Sequence, residues 1–147
     1  MKKKSALLMI IALMSLFAMR SQYAYTDEQN SGTHNVAQPV KSINAGQAHE
    51  LIEEKKGSPD LIIIDVRTEE EYSDGHIPNS TNIDYKSDSF KDAIGRLDKS
   101  KTYIVYCHSG RRSTAAVKIM EEMGFTDIYN MKGGIIGWQG AGFGVTK

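Results

Sequence analysis

The run "LIIIDV", Leu61–Val66, is apolar at each of its first four positions and dominated by isoleucine. A strand with one wet face alternates apolar and polar residues, so a run without alternation reads as a strand buried on both faces. "TYIVYC", Thr102–Cys107, is a second such run, "FTDIYN", Phe125–Asn130, a shorter third, and "TNID", Thr81–Asp84, a candidate fourth. The stretches between them carry helical periodicity. Gln47–Lys55 places Ala48, Leu51 and Ile52 on one face, and Ser113–Met123 does the same with Ala116, Val117, Met120 and Met123. Gly124 fits the left-handed position that closes the second of these helices. Phe90–Leu97 is a weaker helical candidate, and "GGIIGW", Gly133–Trp138, opens a last short one. Strands alternating with helices predict an α/β fold, a parallel sheet flanked by helices on both faces.

The first 40 residues do not belong to that pattern. "MKKK" is a basic start, and Ser5–Met19 is an uncharged, largely apolar run. A bilayer-spanning helix needs about 20 apolar residues, so this run is short for one and fits the core of an export signal. Residues 1–24 are expected to be a signal peptide, with Ala24 at the cleavage point. Gln22, three residues before the cut, departs from the small residue usual there. The chain is accordingly expected to be exported, to a periplasm or the outside; retention as a membrane anchor is the alternative. No cysteine lies near this segment to take a lipid. Residues 25–40 are polar, with Gly32 and Pro39 and no apolar period, and read as a flexible linker. Residues 41–147 form the expected folded domain, long enough for a modest core. Formal charge is zero overall, 18 bases against 18 acids, but four bases fall in residues 1–24. The remainder is mildly acidic, which gives no support to a nucleic-acid partner.

Cys107 is the single cysteine of the chain, so no internal disulfide can form. It ends a strand, and Ser113, a good N-cap type, opens the next helix. Ligands of parallel α/β sheets bind at the carboxyl ends of strands, which is where Cys107 falls. The loop "HSGRR", His108–Arg112, suits an anion. A tight turn into a helix directs several N–H groups inward, and the helix dipole adds positive charge there. Gly110 permits the positive φ that such a turn needs, and an arginine adds a planar fork of donors. These surroundings lower a thiol pKa and favour the nucleophilic thiolate. The same cradle can hold a sulfonate or a phosphate. A buried, inert cysteine is the plain alternative.

These residues resemble the rhodanese family of single-domain sulfurtransferases. "CHSGRRS", Cys107–Ser113, resembles the family's active loop. "DVRTEEEYSDGHIPNSTNID", Asp65–Asp84, "YNMKGGIIGW", Tyr129–Trp138, and more weakly "INAGQAHELI", Ile43–Ile52, match further segments in the family's order. Met131 stands for a usual leucine, and Asn79–Ser80 for a usual Gly-Ala. The resemblance implies a rhodanese-like fold and a two-step reaction. Cys107 would take the outer sulfur of a donor such as thiosulfate, then pass it from a persulfide to cyanide or a thiol. His108, Ser109, Gly110, Arg111 and Arg112 would bind the substrate, with no metal and no organic cofactor. The implied partners are a small-molecule sulfur donor and acceptor, with a sulfur-accepting protein as a further one. Membrane contact would come only through a retained N-terminal segment. Two other readings stay open: a sulfur-carrying or anion-binding module without turnover, and a phosphatase or arsenate reductase on the same scaffold. Loop length separates the latter. Cys107 to Arg112 spans six residues, whereas the related cell-division-cycle phosphatases carry one more, which makes room for phosphate.

The remaining residues take plainer roles. Arg112, at the family's arginine position, is the expected anion ligand and Arg111 an exposed rim residue that steers anions. His108 lends its backbone N–H, and the Ser109 hydroxyl is a candidate contact to the persulfide. Asp65 and Arg67 are expected to pair structurally, Glu69–Glu71 to form a solvated helix start, and His76 to be a hydrogen-bonded loop residue. Four scattered histidines make no zinc pattern, and Trp138 is expected in the core. Lys132 and its glycines are left without a role.

Overall fold

The computed structural model describes residues 40–147. The expectations for residues 1–24 and for most of the linker lie outside the described residues. Strands β1 (Lys41–Ile43), β2 (Leu61–Asp65), β3 (Ser80–Asn82), β4 (Thr102–Tyr106) and β5 (Ile128–Met131) alternate with helices α1 (Ala45–Glu54), α2 (Glu69–Ser73), α3 (Phe90–Gly95), α4 (Arg111–Glu122) and α5 (Gly134–Gly140). Among the described residues the strands form one sheet in the order β1-β5-β4-β2-β3, with every pairing parallel.

Two apolar layers cover the sheet, as the unbroken strand runs require. Ile64, Tyr103 and Val105 pack on one face with Phe90 and Ile94 of α3 and Ala116, Val117 and Met120 of α4. Ile63, Ile104 and Tyr106 pack on the other with Ala45 and Ala48 of α1 and Ile135 and Trp138 of α5. The alternation along β2 and β4 thus serves two cores. The parallel sheet flanked by helices on both faces is the architecture expected, and Trp138 is in the core.

Element ends differ from the expected ones for local reasons. β5 starts at Ile128, three residues late. Gly124, at φ 89°, and Phe125 close α4 instead, through Gly124 N–H to Glu121 O and Phe125 N–H to Met120 O. β3 starts one residue early, at Ser80. The preceding Asn79 holds φ 63°, a left-handed conformation that asparagine tolerates better than most residues. α4 starts two residues early, because Gly110 rather than Ser113 is its N-cap.

The register sets up the site. Asp65 of β2 stands level with Tyr106 of β4 and Asn82 of β3, and Val105 with Asn130 of β5. Four strands therefore end at one edge, and the segments following β2, β3, β4 and β5 all leave there. A buried ion pair stiffens this edge. Arg67 donates Nε and Nη2 to Asp65, at 2.7 to 3.0 Å, and Nη2 also donates to Gly75 O at 2.7 Å. The expected structural pairing of Asp65 and Arg67 is what the geometry holds. His76 Nδ1 lies 3.0 Å from Tyr72 O with its ring stacked on Tyr72, a hydrogen-bonded loop residue as expected.

Candidate active site

Cys107 leaves β4 and is 1% exposed, at the base of a cavity of about 340 Å³. Lys86, His108, Ser109, Arg111 and Arg112 line the cavity with it. The loop turns tightly because Gly110 adopts φ 106°, which a side chain would strain. That turn aims the Gly110 N–H at Sγ, 3.1 Å away. Ser113 sits in the first turn of α4, fully buried, and its hydroxyl donates to Gly110 O at 3.0 Å. Burial pushes the Cys107 thiol pKa up. The N–H groups of Ser113, Gly110 and Ser109 more than offset this, so it lies below the ordinary thiol value. A thiolate held by convergent donors is the nucleophile-ready form.

The five loop residues singled out from the sequence are thus brought together around the sulfur. His108, Ser109 and Arg111 are exposed at the mouth, and Gly110 supplies a backbone donor. Arg112 lines the cavity but does not present a free fork. Its Nη1 and Nη2 donate to Glu71 Oε2 and Oε1 at 2.6 and 2.7 Å, a bidentate pair. Glu71 therefore departs from the expected solvated helix start, while Glu69 and Glu70 are exposed. Glu71 also accepts from the Thr68 N–H, and Thr68 Oγ1 accepts from the Glu71 N–H, the reciprocal box that starts α2. Charge neutralisation by Glu71 makes Arg112 a clamp between α2 and the cysteine loop.

The pair has a pH signature. Arg112 beside it holds the Glu71 carboxyl down to about 2, from an ordinary 4.5. Folded-state depression means its stabilisation is complete above about pH 4.5 and is lost as pH falls toward 2. The urea midpoint is expected to fall across this window in the unchanged protein. It should fall less steeply in Glu71→Gln, and identical slopes in the two proteins would remove the clamp.

Two contributors had no assigned role in the sequence. Lys86, on the loop after β3, closes one side of the cavity. Gly134, at the start of α5, lies so close to the loop that an added Cβ would be 2.3 Å from Cys107 O and 2.5 Å from His108 O. Ile135 N–H donates to Cys107 O at 2.8 Å, and Ile136 N–H to His108 O at 3.3 Å. The "KGG" turn is therefore the floor on which the loop rests. Its signal in the sequence is the glycine doublet itself, which marks a close backbone approach. A larger groove, about 780 Å³, lies near the start of β2 against Ile52, Leu61, Trp138 and Phe143. It lacks the cysteine and the convergent donors, so the chemistry belongs to the smaller cavity.

A family model described as "Rhodanese-like domain" matches residues 44–141. The chain belongs to the rhodanese family. The Bacillus subtilis (strain 168) protein named "Putative sulfurtransferase YtwF" is 35% identical to this rhodanese over 101 residues, 69% of this chain and 92% of that one. A Yersinia pestis tRNA uridine(34) hydroxylase is 34% identical over 100 residues. That match takes in 64% of this chain but only 26% of the hydroxylase, so the rhodanese spans about a quarter of that relative. Among solved structures, a rhodanese-related protein from Thermoplasma volcanium superposes with a TM-score of 0.62 at 32% identity. It covers 72% of this chain and 97% of its own. The family and the YtwF relative support a transferase.

Proposed function

We propose that this rhodanese moves sulfane sulfur from thiosulfate, or a donor like it, to a thiophilic acceptor through a persulfide on Cys107. The observation that carries the reading is the thiolate cradle: a lone cysteine under convergent N–H groups, at the base of a cavity bordered by cations. The Cys107 thiolate attacks the outer sulfur of thiosulfate. A new S–S bond forms, the bond to the sulfonate sulfur breaks, and its electron pair leaves on sulfite. The persulfide anion so formed is stabilised by the same N–H donors that favoured the thiolate. Cyanide or a thiolate then takes the terminal sulfur and restores the Cys107 thiolate. Charge balances in each step, and no external oxidant or reductant is needed. Gly110 lends its N–H, His108 and Ser109 shape the mouth, Arg111 draws anions, and Arg112 holds the loop.

The test is turnover of thiosulfate and cyanide, read as sulfite and thiocyanate. A +32 persulfide mass on Cys107 with negligible turnover would instead favour a sulfur-relay module serving a partner protein. Turnover of a phosphate ester without sulfite release would overturn the reading, as the six-residue span from Cys107 to Arg112 argues against.

We further propose that the chain is exported and processed after Ala24. The basic start followed by a 15-residue uncharged run supports this. The mature protein is then expected to begin at Tyr25 by intact mass in an extracytoplasmic fraction. A full-length mass in the membrane fraction would favour the retained anchor instead.

A further inference from the structure

The charges facing the cavity are few enough to be assigned one by one. Its lining carries the Cys107 sulfur and three basic side chains, Lys86, Arg111 and Arg112, and no carboxylate. The Arg112 charge is neutralised by Glu71. Lys86 and Arg111 form no ion pair among the described residues. The Lys86 backbone is nonetheless held, since its N–H donates to Asp84 Oδ1 at 2.8 Å. Lys86 therefore stands on a fixed turn with an uncommitted ammonium, across the mouth from the cysteine loop. An anionic donor that approaches an anionic thiolate is repelled by it. Arg112 shares its charge with Glu71, so Lys86 and Arg111 are the lining cations without an ion-pair partner among the described residues.

We propose that Lys86 is a specificity-determining residue that, with Arg111, selects doubly charged sulfur donors by holding their oxyanion end. The inference rests on the sulfur-transfer reading given above. Thiosulfate brings two negative charges and releases sulfite. Methanethiosulfonate brings one and releases methanesulfinate, with the same outer sulfur transferred to Cys107. A lost cation at contact distance in a water-like medium costs about five-fold for one charge and, because the energies add, about 25-fold for two. Lys86 meets the donor's distal oxygens and not the S–S bond being made, so the loss belongs to KM and not to kcat.

The experiment compares both donors with the full chain, Lys86→Gln and Lys86→Arg, at low and high salt. Lys86→Gln is expected to raise KM about 25-fold for thiosulfate and about five-fold for methanethiosulfonate at low salt. The kcat should stay within two-fold, Lys86→Arg should restore KM, and the difference should shrink with salt. Equal losses on both donors, or an unchanged KM for thiosulfate, would overturn the assignment of Lys86 while leaving sulfur transfer standing. Absence of a +32 mass on Cys107 of the unchanged protein with either donor would instead overturn sulfur transfer, and this inference with it.

Discussion

Cys107→Ser is expected to abolish thiosulfate-to-cyanide turnover, by at least about 1,000-fold, the scale on which removal of a covalent nucleophile acts. A serine hydroxyl keeps the size and the hydrogen bond from Gly110 N–H but carries almost no oxyanion at neutral pH. It also cannot form an S–S bond, so the +32 mass should vanish in the intact protein. The substitution should leave the fold in place, since Cys107 contributes one small side chain to a layer built from Ile64, Val66, Val105 and Ala116. The companion measurement is the pH dependence of thiol alkylation in the unchanged protein. Its midpoint should lie below that of an ordinary thiol, because the N–H groups of Ser113, Gly110 and Ser109 outweigh burial. Turnover that survives the substitution, or a midpoint at or above the ordinary value, would each refute the thiolate mechanism.

What could be read from the chain followed a division between local and long-range information. Strand runs such as Leu61–Val66 and the cysteine loop are local patterns, and local patterns carry their own physical meaning. The loop's chemistry could be named because Gly110, the two arginines and the helix start all lie within seven residues of Cys107. The Arg112–Glu71 pair could not be named, since its partners are 41 residues apart and meet only because β2 and β4 end level. Glu71 looked like a first-turn acid suited to the dipole of its own helix, and that local explanation was sufficient by itself. Lys86 was one exposed lysine among many until the register of β3 carried its loop to the cavity. Even the small displacement of α4 has this character. Ser113 is a sound N-cap by composition, but the loop needed the left-handed turn at Gly110, and that turn started the helix early.

Gly134→Ala is expected to damage the site from behind. The added methyl would stand 2.3 Å from Cys107 O, 2.5 Å from His108 O and 2.6 Å from His108 C, all backbone atoms that cannot rotate away. Either the loop or the start of α5 must move. Movement of either strains the bonds from Ile135 and Ile136 N–H to those same carbonyls. Overpacking of this kind costs roughly 1–3 kcal/mol, and the left-handed backbone at φ 56° adds about 1–2 kcal/mol for any residue with a Cβ. The neighbouring glycine separates the two contributions. Gly133 holds φ 83°, but a Cβ there would meet nothing nearer than Gly137 Cα at 3.6 Å, an ordinary contact. Gly133→Ala should therefore lose only the backbone contribution. Gly134→Ala should lose more by urea denaturation and also raise the alkylation midpoint of Cys107, because tilting the His108 carbonyl turns the Ser109 N–H of the same peptide away from the sulfur. If the two alanine variants match in stability and in alkylation midpoint, the loop does not depend on the α5 turn. The thiolate would then owe its stabilisation to the loop and the first turn of α4 alone.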